Sequence, residues 1–204
     1  MTSANTRTAD YPIDPMFLER WSPRSLTGDS IEEVNLMTML EAARWAPSAF
    51  NAQPWRFIYA RRETPPWDKL LSLLIPFNQG WARNASALIF IVSNSRLRQR
   101  GNNPETTSYT HSLDAGTAAG YLALQANRMG WFVHGMSGFD VERAPSELGV
   151  PEGWRVEAAY AVGKLGDKTG LPEALRMREA PSNRRPLSEL AFEGTFRDAG
   201  TGAV

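Results

Sequence analysis

The spacing of apolar residues in the first quarter of the chain predicts two helices. The first is short and covers residues 16–21. The second begins at Ser30, because Ser30 and Glu33 fit the S-x-x-E capping box, and it ends before Pro47. Apolar residues recur every three positions along it and predict one buried stripe. The stripe consists of Ile31, Val34, Met37 and Leu40.

Four segments have the composition that is typical of strands. They are residues 55–60, 87–92, 131–133 and 156–162. The second is apolar at every position, which predicts a central strand that is buried on both faces. Pro65 and Pro66 predict the start of a helix that extends through Leu74. The polar residues 95–108 predict an exposed loop.

The longest predicted helix runs from Tyr109 to Met129. Gly130 is well placed to end it, because glycine readily adopts the left-handed conformation found at helix C-termini. One face of this helix carries small side chains, so a neighbouring backbone can pack closely against it. That face includes Ala115, Gly116, Ala118, Ala119, Gly120 and Ala123.

The two ends of the chain lack this regular pattern. Residues 1–15 form a polar N-terminal arm, and residues 166–204 form a C-terminal extension. The extension contains Leu175, Leu187 and Phe196, which makes it too apolar for a plain disordered tail. We expect it to pack on the domain or across a dimer partner; the alternative is a partly disordered terminus.

Composition narrows the functional class. A chain of 204 residues is typical of a single domain. Its 22 basic residues are balanced by 22 acidic ones, which argues against a dedicated duplex nucleic-acid binder. With no cysteine and two histidines, we expect neither a metal site nor cysteine catalysis. Because no apolar signal core or membrane-length run is evident, we expect a cytoplasmic protein without a membrane partner.

Two basic segments are candidates for binding an anion. They are Arg20-Trp21-Ser22-Pro23-Arg24 near the start and Asn183-Arg184-Arg185-Pro186-Leu187 near the end. Guanidinium groups bind phosphate in a bidentate manner, and a serine hydroxyl adds a directed donor. Taken alone, each segment is better explained by solvated surface arginines.

Three further segments carry amides or hydroxyl groups on predicted loops beside strands. They run from Pro47 to Trp55, from Pro76 to Asn84 and from His134 to Asp140. Side-chain amides both donate and accept hydrogen bonds, so Asn51, Gln53 and Asn78 suit the mixed edge of a heteroaromatic ring. Gly138 permits close approach of the backbone to a ligand. The simpler explanation is ordinary turns, with Asp140 as a helix N-cap.

No residue is predicted to act as a catalytic acid, base or nucleophile. Asp114 is as consistent with a buried cap or helix contact as with catalysis. His111 lies one turn earlier. A histidine in such a position is more often a surface or interface residue than one that faces a substrate. The sequence contains no phosphate-binding G-x-x-x-x-G-K-[ST], no G-x-G-x-x-G and no G-x-S-x-G motif.

In their order along the chain, these segments resemble the FMN-dependent nitroreductase family over residues 16–190. The more specific parts are P-S-x-x-N-x-Q-P-W from Pro47 to Trp55 and the small-residue helix that ends at Gly130. The set also includes R-x-S-x-R, G-F-D and R-R-P-L. The resemblance implies an α+β nitroreductase-like fold whose central, mostly antiparallel sheet is flanked by helices. It also implies a homodimer with a C-terminal arm packing across it and two FMN molecules at the subunit interface.

The resemblance implies roles for individual residues. Those at the FMN phosphate and ribityl chain are Arg20, Trp21, Ser22, Arg24, Arg184 and Arg185. Those that reach the flavin from the neighbouring subunit are Pro47, Ser48, Ala49 and Asn51, with Gln53 close by. Asn78 would face the pyrimidine edge of the ring, and Ser137 and Gly138 would lie near N5, where hydride is exchanged.

The implied function is an oxidoreductase in which NADH or NADPH reduces FMN and is then replaced by a small electron acceptor, in a ping-pong cycle. The acceptor would be a nitroaromatic, a quinone or a similar compound. Because the flavin carries the redox chemistry, no acid–base pair is required. Alternatives are a specialised flavin reaction, such as reductive dehalogenation or flavin breakdown, a flavin-binding or interaction module with little turnover, and a structural dimer without flavin.

Two positions depart from the family pattern. Many members carry a basic residue three positions after the amide that corresponds to Asn78, and its charge favours the reduced, anionic flavin. This chain has Trp81 there, with Arg83 two residues later. Many members also carry a glutamate where Ser137 stands. The reduction potential is therefore expected to differ from that of those members.

Overall fold

Helices and strands are interspersed along the chain in the computed structural model, which describes residues 5–97 and 105–197. The strands are β1 (Trp55–Arg61), β2 (Ala87–Asn94), β3 (Arg96–Leu97), β4 (Thr106–Thr107), β5 (Phe132–Met136) and β6 (Trp154–Gly163). The α-helices are α1 (Met16–Glu19), α2 (Glu33–Arg44), α3 (Trp67–Ser72), α4 (Pro76–Ala82), α5 (His111–Arg128), α6 (Arg143–Glu147) and α7 (Glu173–Arg176).

Four strands form one antiparallel sheet in the order β1-β2-β6-β5. Strand β2 is central and is buried at every position except Asn94, which confirms the predicted double-sided burial. Its side chains alternate between the two faces, because successive residues of a strand point in opposite directions. Leu88 and Phe90 join one apolar cluster, and Ile89 and Ile91 join the other.

The helices cover both faces of this sheet. Helices α2 and α5 contribute Leu36, Met39 and Leu122 to the cluster on one face. Helices α3 and α4 contribute Leu70 and Trp81 to the cluster on the other. Burial of a side chain of this size stabilises the fold by roughly 1.5–3 kcal/mol. This arrangement confirms the predicted α+β fold with a mostly antiparallel sheet flanked by helices.

Helix α2 differs from its prediction in both start and orientation. It begins at Glu33, and its N-cap is Glu32 without a side-chain hydrogen bond, so the predicted capping box is wrong. Its buried residues are Leu36, Met39 and Ala43, whereas Val34 is 63% exposed. The predicted stripe had the wrong phase because it started from Ile31, which is buried but precedes the helix.

Three other segments also differ from prediction. Residues 76–82 form helix α4 rather than a loop, with Pro76 in the first turn, where its missing N–H costs nothing. Strand β5 extends through Met136, since its pairing with β6 continues to Ala159. Part of the predicted exposed loop forms the β3–β4 pair, and residues 98–104 of that loop lie outside the described residues.

The first half of the C-terminal extension packs on its own chain, together with Leu165, which directly precedes it. Leu165 forms a β-bridge with Leu26, and the amide of Gly166 donates to the Ser25 carbonyl at 2.9 Å. Leu175 in α7 is buried in the core. The predicted packing across a dimer partner stays a prediction for residues 181–197, and residues 1–4 and 198–204 lie outside the described range.

Within residues 5–97 and 105–197, every helix is too short or too polar to cross a bilayer.

Candidate cofactor site

The two predicted basic segments line one cavity, which we call the anion pocket. Its volume is about 420 Å3, which is within the usual range for small-molecule sites. Its lining residues are Arg7, Arg20, Trp21, Ser22, Arg24, His134, Arg178, Ala180, Ser182 and Arg184. The structure thus brings the Arg20–Arg24 segment together with Arg184, whereas Arg185 is exposed.

Arg7 ties the N-terminal arm to the C-terminal extension at this pocket. Its Nη1 donates to the carbonyl oxygens of Arg20 at 2.7 Å and Leu18 at 3.1 Å. Its Nε donates to the carbonyl oxygen of Ser182 at 2.7 Å. Neither Arg7 nor Arg178 was predicted from the sequence, because both lie in segments without a periodic pattern. Their positive charge was the one available signal.

The guanidinium groups of the anion pocket repel one another. Burial, followed by the like charge of Arg184, lowers the pKa of Arg20. Burial also lowers the pKa of Arg7, with Arg184 and Arg20 as further causes. Arginine stays protonated in proteins, so these groups give the pocket a positive potential. An anion with several oxygen atoms, such as a phosphate monoester, would relieve the repulsion.

The loop that carries Ser22 and Arg24 is fixed by a carboxylate of the C-terminal extension. Oε1 of Glu179 accepts hydrogen bonds from the backbone amides of Arg24 and Ser25, both at 2.7 Å. Burial lowers the pKa of Arg24, and the charge of Glu179 partly offsets this effect. Glu179 is only 6% exposed, so the contact is shielded from water.

Asn78 and Gly138, which were predicted at different parts of the flavin ring, are in direct contact with each other. The Asn78 Nδ2 donates to the Gly138 carbonyl at 2.9 Å, and the Ile75 amide donates to the same oxygen at 3.1 Å. A Cβ at Gly138 would lie 2.5 Å from Asn78 Nδ2 and 2.8 Å from Ile75 Cδ1. A side chain at this position would therefore displace Asn78 and Ile75. Ser137 is exposed beside it.

Trp81 connects this contact to the anion pocket. Its indole Nε1 donates to Asn78 Oδ1 at 3.3 Å, and the ring is buried. The Arg24 Cζ lies 6.0 Å from the centroid of the Trp81 ring, and the His134 ring centroid lies at 4.6 Å. The position that is basic in many family members is therefore taken by a packed aromatic side chain.

His134 is neutral at pH 7. Burial is the main cause that lowers its pKa from 6.5 to about 4, and the nearby charge of Arg24 adds to the effect. Its Nδ1 lies 3.0 Å from the Pro23 carbonyl oxygen, which can only accept, so Nδ1 carries the proton. Nε2 is then left as an acceptor. His134 was not predicted as a site residue, because a single histidine after a strand carries no specific signal.

The second predicted loop, residues 47–53, has a strained backbone. Phe50, Asn51 and Gln53 have φ values of 53°, 55° and 47°, in the left-handed region that residues other than glycine rarely adopt. Such conformations persist only where the surroundings enforce them, and they cluster at functional sites. Here Ser48 Oγ accepts from the Gln53 amide at 2.9 Å. Phe50 is held 77% exposed.

Asp114 anchors this loop to helix α5. Its Oδ2 accepts from the Ala49 amide at 3.2 Å and from Thr110 Oγ1 at 3.3 Å. Of the two roles that the sequence left open for Asp114, the structure shows a buried structural contact that joins the loop to the start of α5. His111 makes a separate polar cluster, with its Nδ1 2.7 Å from Ser93 Oγ and 3.4 Å from Glu157 Oε1.

The two groups of predicted residues lie at opposite edges of the sheet. Loop 47–53 leads into β1, while the anion pocket and Gly138 adjoin β5. Three strand spacings separate these edges, which is about 14 Å. Within one chain, Pro47, Ser48, Asn51 and Gln53 are therefore not brought to the anion pocket.

An apolar groove lies beside loop 47–53, between α2 and β1, with a volume of about 670 Å3. The misassigned stripe of α2 faces it, since Val34, Met37 and Leu40 are among its lining residues. Trp55 and Phe57 of β1 line the other side.

The chain is similar to proteins of one family. The model of the family described as "Nitroreductase family" matches residues 18–164. A solved structure described as "the oxidoreductase containing FMN" shares 46% sequence identity and a TM-score of 0.92, covering 97% of this chain and 100% of that one. A nitroreductase family protein from Clostridium difficile 630, at 21% identity, has the same fold with a TM-score of 0.68, covering 91% of this chain and 100% of that one. A protein from Thermus thermophilus named "NADH dehydrogenase" is 29% identical over 204 residues, 86% of this chain and 92% of its own length.

Proposed function

Since this chain belongs to the nitroreductase family, we propose that it is an oxidoreductase that binds FMN and uses NADH or NADPH to reduce small electron acceptors. Membership confirms the family that the sequence predicted. The predicted enzyme class and cofactors agree with the names of its relatives, one described as containing FMN and one as an NADH dehydrogenase.

The observation that carries the proposal is the anion pocket. Five arginines and the Ser22 hydroxyl line one cavity, and a phosphate monoester carries close to two negative charges. The Nε atom of Arg24 is buried and has no hydrogen-bond partner among the described residues. A phosphate oxygen would supply the missing acceptor. The residues present therefore fit the phosphate of FMN.

The contact between Asn78 and Gly138 would bind the ring system. The Asn78 amide keeps one N–H and one lone pair beyond its bonds to Gly138 and Trp81, so it can both donate to and accept from a heteroaromatic edge. FMN, when bound, supplies reversible hydride transfer. The chain binds and orients it: the arginines hold the phosphate, and Asn78 and the Gly138 backbone position the ring.

Two subunits would share each site. Loop 47–53 presents its amides and hydroxyl away from its own anion pocket, so we infer that it completes the site of a neighbouring copy. A two-fold homodimer then has two equivalent sites, each with both groups of residues. In the proposed ping-pong cycle, the oxidised nicotinamide leaves before a nitroaromatic, quinone or similar acceptor enters the same space.

The first experiment is the visible absorption spectrum of the purified protein, followed by denaturation and identification of what is released. We expect a flavin spectrum and about one FMN per chain. A colourless protein that takes up no added FMN contradicts the proposal. Steady-state oxidation of NADH and NADPH with a nitroaromatic or quinone then tests turnover. Robust turnover excludes a binding module, whereas bound FMN without turnover favours one.

Mixing two variants, each of which we expect to be inactive alone, tests the shared site. Arg20→Ala removes part of the anion pocket, and Asn51→Ala removes an amide of loop 47–53. If each site takes residues from both subunits, a mixed dimer keeps one intact site, and random mixing restores about a quarter of the wild-type activity. Each variant mixed with itself is the control. No recovery after verified subunit exchange contradicts the shared site.

A further inference from the structure

A carboxylate lies behind the wall of the basic anion pocket. Glu179 stands between two lining residues, Arg178 and Ala180, and is 6% exposed. Simple electrostatics predicts that a negative charge at this place weakens the binding of an anion. The hydrogen bonds of Glu179 point to the opposite effect.

Oε1 of the carboxylate hydrogen-bonds the backbone of the loop that carries Ser22 and Arg24, whereas Oε2, although buried, has no hydrogen-bond partner among the described residues and makes no hydrogen bond to the Arg24 guanidinium group. Oε1 accepts from two successive amides, those of Arg24 and Ser25. The Arg24 Nε, although buried nearby, has no hydrogen-bond partner in residues 5–97 and 105–197. Glu179 thus satisfies amides that would otherwise be buried without an acceptor, and the guanidinium remains free to bind a ligand.

The same loop is held at two further points, by the first residue of the C-terminal extension and by the residue before it. The amide of Gly166 donates to the Ser25 carbonyl, and Leu165 bridges Leu26. Leu175 anchors the intervening helix in the core. The conformation of residues 22–26 therefore depends on a segment about 150 residues away in sequence, and Glu179 is its contact nearest to Arg24.

We propose that Glu179 is a positioning residue for the phosphate site: it fixes the Ser22–Arg24 loop so that the side chains of Ser22 and Arg24 face the anion. This inference rests on the proposed binding of FMN. The positioning role and simple electrostatics predict opposite changes in FMN affinity when Glu179 is replaced. If Glu179 positions the loop, removing its negative charge together with its oxygen atoms weakens the binding of a phosphate ester.

The test compares FMN with riboflavin, which lacks the phosphate, by fluorescence titration of Glu179→Ala. We expect FMN affinity to fall about tenfold, which corresponds to the loss of a charge-assisted hydrogen bond, while riboflavin affinity changes less than about twofold because its contacts lie at Asn78 and Gly138. Glu173→Ala is the matched control. It removes the same charge from the exposed first turn of α7 and is expected to bind FMN as the wild type does.

Two conservative variants separate geometry from charge. Glu179→Gln keeps an oxygen at the same distance and is expected to bind FMN within about threefold of wild type. Glu179→Asp keeps the charge, but its shorter side chain falls short of the amides, and it is expected to bind FMN more weakly than Glu179→Gln. If Glu179→Ala shows no cooperative thermal transition, it is not folded and its FMN affinity is uninformative. The comparison of Glu179→Gln with Glu179→Asp then decides whether Glu179 acts through its position or its charge.

The inference is overturned if Glu179→Ala binds FMN as tightly as wild type or more tightly, or if FMN and riboflavin weaken by the same factor. The last result would indicate a general loss of structure. Equal affinities for Glu179→Asp and Glu179→Gln would also overturn it. If the wild-type protein binds riboflavin and FMN with equal affinity, the anion pocket does not bind the phosphate. That result contradicts both this inference and the anion-pocket basis of the proposed function.

Discussion

The two edges of the central sheet carry different kinds of chemistry. At the β5 edge, charged groups from both ends of the chain surround one cavity. Two hydrogen bonds of 2.7 Å join these ends, one from Arg7 Nε to the Ser182 carbonyl oxygen and one from the Arg24 amide to Glu179 Oε1. At the β1 edge, loop 47–53 carries neutral amides and a hydroxyl on a strained backbone, with Phe50 projecting outwards. The β5 edge has the features of a binding site by itself, whereas the β1 edge has the features of a surface shaped for something that approaches it.

The contrast shows how charge and shape can be divided between two surfaces. Ionic groups bind an opposite charge strongly, but they lose hydration when buried and repel one another, so they must be held in place, which the C-terminal extension does at the β5 edge. Neutral amides need precise placement instead, which the strained turn and Asp114 provide at the β1 edge. The following predictions test this division.

The largest effect is expected at the anion pocket. In the variant Arg20→Ala/Arg184→Ala, two guanidinium groups are lost, and FMN affinity should fall at least about 100-fold, or roughly 3 kcal/mol, because each charge-assisted contact contributes about 1.5–3 kcal/mol. Riboflavin affinity should change little. The control Arg44→Ala/Arg143→Ala removes two surface arginines of α2 and α6. Unchanged FMN affinity in the first variant would refute the phosphate site.

At the ring-binding contact, Gly138→Ala should destabilise the fold by about 1–3 kcal/mol, because the new Cβ overlaps Asn78 and Ile75. FMN affinity should fall as well, since Asn78 must move. The measurement is chemical denaturation together with an FMN titration. Gly80→Ala, in helix α4, is the control: a Cβ there meets nothing within 4 Å, and alanine should stabilise the helix by about 0.5–1 kcal/mol. An equal response of both variants would contradict the close contact.

His134 should make the β5 edge sensitive to acid. Its folded pKa of about 4 lies below the ordinary 6.5, so between these values the unfolded chain binds a proton that the folded chain does not. Stability therefore falls as pH decreases through this window, by about 2 kcal/mol at pH 5 relative to pH 7. Denaturation of the cofactor-free protein at both pH values should show this loss reduced in His134→Phe, which keeps a ring against Trp81. Equal losses in both proteins would count against the assignment.

The smallest effect is expected in loop 47–53. Phe50→Gly should stabilise the cofactor-free protein by about 1 kcal/mol, because glycine adopts the left-handed conformation without strain and the exposed ring gives up little packing. The thermal midpoint measures this. Ala52→Gly, at an ordinary helical φ of −68°, is the control and should be destabilising. A lower midpoint for Phe50→Gly would show that the ring has a packing role.

Sequence patterns predicted the elements whose signal is local. Strand β2 and helix α5 were recognised because a run of apolar residues, or a long small-residue face before Gly130, has one dominant structural solution. Helix α4 was missed because its few apolar residues fit a loop equally well, and only Pro76 indicated a helix start. The phase of α2 was wrong because a non-helical residue, Ile31, was counted in the helical register.

The site residues also fall into those that a local sequence pattern reveals and those that it does not. Arg20, Ser22, Asn78 and Gly138 were identifiable because they lie in recognisable motifs whose order is itself informative. Arg7, His134 and Glu179 were not, since their roles arise from contacts between distant segments that no local pattern records. The homodimer, the arm that crosses it, the single-domain organisation and the cytoplasmic location remain predictions.

Arg20 leaves the ribosome long before Arg184 does, because 164 residues separate them in the sequence. At synthesis rates of about 5–20 residues per second, the interval is roughly 8–30 s. During that time the Ser22–Arg24 loop lacks both the carboxylate of Glu179 and the guanidinium of Arg184. The anion pocket is therefore completed only after Arg184 has been synthesised, so an anion that reaches the nascent chain earlier meets only the N-terminal half of its site.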